Sequence, residues 1–160
     1  MEAKLEHRAY LVNEIPKLLK QLKEDTEPRF GLMTAQHMVE HLTSTIKAVL
    51  SRHGEVQNPP TKGQLGFKAF IHEKGAVLTH RPSDKTKADL PALKYGTFEE
   101  AKAELPKAVQ RFYDHFDANP DFKCYNEFLG EMDFGELSLF EYMHYRYHFY
   151  QFALIETYPV

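Results

Sequence analysis

Cysteine is almost absent from this chain: Cys124 is the only one in 160 residues. A single thiol excludes an intrachain disulfide framework and a zinc ribbon built on paired cysteines. In a connecting segment it reads as an ordinary thiol. No apolar run approaches the roughly eighteen residues of a membrane-spanning helix, and the opening MEAKLEHRAY lacks the apolar core of a signal peptide. A cytoplasmic location is the expectation. Positive charge is also in short supply, with 20 Lys and Arg against 23 Asp and Glu and a formal net charge of -3. No cationic patch or stripe is visible, so nucleic acid is not an expected partner, and without a spanning run neither is a membrane. What is present is an ordinary globular composition, 42% hydrophobic and 27% charged, at a length that suits one domain over 1–160.

Apolar spacing predicts four helices. The first runs from Asn13 as N-cap to about Glu24, with Pro16 in its first turn and Ile15, Leu18, Leu19 and Leu22 on its inner face. A start nearer residue 1 would leave Pro16 inside the helix. The second is capped by Thr34 and ends near Arg52, with Met38, Leu42, Ile46 and Val49 along one side. The third opens on the capping pair Thr97 and Glu100, buries Ala101, Leu105, Val109, Phe112 and Phe116, bends at Pro106 and stops at Asn119. The fourth starts at Ser138, boxed by Glu141 with Leu137 and Tyr142 as a staple, and stops near Tyr158 before Pro159. Residues 54–96 are punctuated by Pro and Gly and hold only a short helix at 65–71, which reads as a crossover or lid. Residues 120–137 read as an irregular connection, and no segment alternates as a strand. Four amphipathic helices close most simply as an all-α four-helix bundle, the long link letting helices two and three lie parallel.

The chemistry gathers on the fourth helix. His144 and His148 are four residues apart, one turn on a shared face with Leu137, Glu141, Gln151, Phe152 and Ile155. Two imidazoles at that spacing can reach one ion, and a third can come from a facing helix. His37 and His41 are a second such pair, and His41, beside Met38, Leu42 and Thr45, is the better placed to look inward. Three neutral imidazoles leave a position open for a water of lowered pKa or for a thiol held as thiolate. Spacing alone leaves core packing open as the reading of any His pair. His37 reads as structural, Glu141 as a cap with an orienting role toward a histidine as its alternative, and His7, His53, His72, His80 and His115 as surface groups. The four tyrosines of the segment cover all its sides, so some are core.

RFGLMTAQHMVEHL at 29–42 and HYRYHFYQF at 144–152 together resemble the DinB-like (DinB/YfiT) metalloenzyme superfamily. The matched positions are Phe30, Gly31, Met33, Thr34, Met38 and His41, then His144, His148, Gln151 and Phe152. The resemblance spans essentially the whole chain. It implies a down-up-up-down four-helix bundle, a nickel or zinc ion on His41, His144 and His148, and a homodimer. It also implies a small-molecule substrate. Relatives of this type transfer a low-molecular-weight thiol such as bacillithiol or mycothiol to electrophiles, or act as hydrolases or isomerases. Two departures stand out: His37 sits where the branch with this aromatic-Gly-x-Met-Thr signature often carries Gln, and 54–96 matches nothing. The rival reading is an inactive bundle that binds a small apolar molecule or a protein partner through its aromatic fourth helix.

Overall fold

The computed structural model describes residues 2–158. They are mostly helical, with one small two-stranded sheet. The first helical stretch begins earlier than expected. Helix α1 spans Glu2–Ala9, a π turn spans Tyr10–Glu14, and α2 spans Ile15–Leu19. Pro16 explains the form of this run, because it offers no N–H and its ring crowds the carbonyl four residues back. The wider turn, closed by the Ile15 N–H on the Tyr10 carbonyl, resets the ladder so that Pro16 opens a new α segment. Leu11, Ile15, Leu19 and Leu22 are buried, and Leu18 is half-buried.

Helix α3 spans Ala35–Ala48 and is capped by the Thr34 hydroxyl, which accepts the His37 N–H. Met38, Leu42, Ile46 and Val49 are in the core, as the spacing predicts. The helix stops short of Arg52, which instead bridges to Tyr125. Within the crossover, α4 spans Lys62–His72 behind a Thr61–Gln64 capping box, and Phe67 meets Phe140 edge-on at 5.4 Å between centroids. The far end of the crossover is pinned to α3. Glu40 accepts the Lys94 N–H at 2.8 Å and the Tyr95 N–H at 3.0 Å, while Gln36 Nε2 donates to the Tyr95 carbonyl at 3.0 Å. Burial opposes the Glu40 charge, yet these backbone bonds and the Gln36 amide outweigh it and hold the carboxyl below its ordinary range.

Helix α5 spans Phe98–Ala118 without interruption at Pro106, and its capping box is the predicted Thr97–Glu100 pair. Ala101, Leu105, Val109, Phe112 and Phe116 are all buried. The connection that follows is not irregular. Strands β1 (Cys124–Asn126) and β2 (Gly130–Met132) pair antiparallel, with Cys124 opposite Met132. Strands of three residues are too short to display alternation, and all of β1 is buried. Burial pushes the Cys124 thiol up to about 11, so it is no reactive thiolate.

Helix α6 spans Phe134–Gln151 and starts a turn before the predicted Ser138. Asp133 is the cap, boxed by Glu136. Both pairs fit the same local pattern, but β2 delivers the chain at Met132, so the earlier pair terminates the helix and the later one is carried into the core. The helix also ends before Tyr158: Phe152 is its C-cap and Ala153 takes a left-handed φ of 58°. Helix α3 packs against α5, α1 against α6, and α3 also meets α6. Among the described residues no helix is long and apolar enough to cross a membrane.

Candidate metal centre

The contact of α3 with α6 brings three histidines together. His144 Nε2 lies 3.0 Å from His41 Nε2 and 3.1 Å from His148 Nε2. The three candidate ligand atoms all lie within 4.8 Å of one another. Nitrogens held about 2.0–2.1 Å from a tetrahedral zinc ion would stand about 3.3 Å apart, close to this spacing. A neutral imidazole carries one proton and one lone pair, so only one of the two contacts at His144 can be a hydrogen bond. A cation is the partner that satisfies all three nitrogens at once.

One of the three has its tautomer fixed by neighbours. Gln151 Nε2 donates to the Phe30 carbonyl at 2.9 Å, which orients the amide and leaves Oε1 to accept. His148 Nδ1 therefore carries the proton of the 2.7 Å bond to Gln151, and its Nε2 presents a bare lone pair to the other rings. Gly31 makes this latch possible. Its φ is +83°, and a Cβ there would stand 2.8 Å from Gln151 Nε2. The Arg29 N–H adds a 2.7 Å bond to the Gln151 carbonyl. The two sequence motifs thus meet in space, one supplying the carbonyl that orients a histidine of the other.

Burial dominates the electrostatics. It lowers the His41 pKa to about 4, with the neighbouring His144 adding to the effect. It also drives His148 well below its ordinary value, again helped by His144 and His41. Both rings are neutral near pH 7, the form that binds a metal. His144 stacks on Phe140 with centroids 5.3 Å apart, and Tyr147 sets its edge against His148 at 4.9 Å.

His37 is not brought to the cluster. Its Nε2 lies 3.0 Å from the Pro91 carbonyl and its Nδ1 2.7 Å from the Thr34 hydroxyl, so it ties the start of α3 to the crossover. Glu141 is the larger surprise. It caps nothing: it is fully buried, and neither carboxylate oxygen has a hydrogen-bond partner. Its Oε2 stands 3.9 Å from His144 Nδ1, which is itself buried and without a partner.

His53, His72 and His80 are exposed, as expected, but His7 and His115 are half-buried, His7 stacking on Tyr142 at 4.4 Å. Tyr145 is the tyrosine of α6 that is wholly in the core. Sequence reasoning missed Gln36 and Glu40, whose signal would have been polar side chains flanking the Met38 position on an otherwise apolar stripe. A pocket of about 230 Å³ lies against His41, with Met33, His37, Leu90, Pro91 and Lys94 in its wall. Its lining comes from α3, the segment before it, and the pinned end of the crossover. No family model matches this chain, and comparison with curated proteins and with solved structures gives no match.

Proposed function

We propose that the protein is a metal-dependent enzyme of the DinB-like type that transfers a thiol to, or hydrolyses, a small electrophile. His41, His144 and His148 hold nickel or zinc on a down-up-up-down four-helix bundle, in a cytoplasmic homodimer that uses a low-molecular-weight thiol as co-substrate. The observation that carries this reading is the convergence of three imidazole nitrogens from two helices, with the His148 tautomer set for coordination by Gln151. The ion would supply Lewis acidity, lowering the pKa of a thiol or a water so that either is a nucleophile near pH 7. The protein supplies the remaining requirements. Burial keeps His41 and His148 neutral, and the rings of Phe140 and Tyr147 pack against His144 and His148. The pocket beside His41 suits a small electrophile, with apolar walls from Met33, Leu90 and Pro91 and the Lys94 cation at its edge. In thiol transfer a C–S bond forms, the leaving group departs with its electron pair, and the thiol proton passes to solvent. In hydrolysis water takes the place of the thiol.

The test is elemental analysis of protein purified without a histidine tag, beside a His144→Ala, His148→Ala double variant. About one equivalent of a divalent ion in the parent and none in the folded variant is the expected result. A parent that takes up no metal, even from excess nickel or zinc, overturns the reading. The rival, an inactive bundle with an apolar ligand, would then be pursued at the larger pocket of about 540 Å³ between α4 and residues 77–81.

A further inference from the structure

We propose that Glu141 is the positioning residue of the metal centre: its carboxylate accepts a hydrogen bond from the His144 Nδ1–H and so turns the His144 Nε2 lone pair toward the ion. The inference rests on the three-histidine reading and adds to it the group that orients the central ligand. Two observations carry it. A carboxylate with no exposure and no hydrogen bond on either oxygen sits one turn before His144 on the same face of α6. The His144 Nδ1 that its Oε2 approaches at 3.9 Å is likewise buried and without a partner. A buried polar group without partners is retained only where something compensates it, and two unsatisfied groups this close are each other's remedy. A rotamer adjustment of about 1 Å closes the gap to hydrogen-bond length.

When His144 Nε2 gives its lone pair to an ion, its one proton must sit on Nδ1, and Nδ1 points at Glu141. The other two ligands do not need this carboxylate, since Gln151 serves His148 and His41 stands on α3. The second carboxylate oxygen has its own candidate donor: Tyr145 feels the Glu141 charge and its hydroxyl is buried without a partner, whereas the nearby Tyr113 hydroxyl interacts with Ser138. Orientation of a ligating histidine by a carboxylate raises its basicity and fixes its ring, which is why loss of such groups weakens metal binding.

The experiment pairs zinc affinity, measured by competition with a chromophoric chelator, with NMR of the imidazole nitrogens in the zinc-loaded protein. Glu141→Gln is expected to bind zinc roughly 10- to 100-fold more weakly, with a cooperative thermal melt of the metal-free variant showing that it folds. Glu141→Asp should recover part of the affinity. In the loaded parent, His144 should coordinate through Nε2 and show an Nδ1–H that is far downfield and slow to exchange. Affinity of Glu141→Gln within twofold of the parent overturns the proposal and leaves the metal reading standing. So does coordination of His144 through Nδ1, a result read on the parent alone and independent of whether any variant folds. A parent that binds no zinc overturns both.

Discussion

Acid should loosen the metal-free protein before it touches the carboxylates. His41 titrates near 6.5 in an unfolded chain and near 4 in the fold, because burial and the neighbouring His144 disfavour its cation. The unfolded state therefore binds the proton first as pH falls. Stability is fully present above about pH 6.5, declines through the window down to about 4, and is flat below it. The full gap corresponds to about 3 kcal/mol, of which about 2 kcal/mol is expressed at pH 5. His148 and the half-buried His7, both lowered mainly by burial, act with the same sign. Glu40 does not compete in this window, since a carboxyl held below its ordinary range gives up its contribution only at lower pH. The assay is urea unfolding at pH 7.5 and pH 5 with chelator present, on the parent and on His41→Ala. The parent should lose about 2 kcal/mol more than the variant between the two pH values. Equal losses would refute the claim that His41 is held neutral by burial. Zinc at about 100 times its dissociation constant should stabilise the parent at pH 7.5 by about 2.7 kcal/mol, and that gain should shrink at pH 5 as protons compete for the imidazoles.

Two further perturbations separate the latch from the clamp. Gly31→Ala places a side chain at a φ of +83° against the Gln151 amide; it should cost about 1–2 kcal/mol in urea unfolding and also weaken zinc binding, because the His148 orienter is displaced. Glu40→Gln removes the charge that holds the Lys94 and Tyr95 amides; it should cost about 1.5–3 kcal/mol and speed hydrogen exchange at those two amides. Zinc affinity within twofold of the parent is expected for that variant, and a large loss would show that the clamp also shapes the trio.

The sequence by itself determined the helical faces of α3 and α5, the Thr34 and Thr97 caps, and the one-turn spacing of His144 and His148. Each of these is a local matter, set by the covalent period of a helix and by side chains that bond backbone three residues away. The choice of His41 over His37 was legible too, from its apolar neighbours on the wheel. Tertiary structure decided what local rules leave degenerate. Ser138 with Glu141 and Asp133 with Glu136 match the same capping pattern, and only the delivery of the chain by β2 selected the second pair. That selection turned Glu141 from a cap into a buried carboxylate beside His144. The π turn before Pro16 is a second case, since either a late start or a reset ladder relieves the same clash. Long-range partners lay beyond any local reading: Gln151 to the Phe30 carbonyl spans 121 positions and Glu40 to Lys94 spans 54. Hydrogen bonds of that reach form only once packing has brought α3, α6 and the crossover side by side. The three-histidine cluster is legible as residues in the sequence and as a site only in the fold.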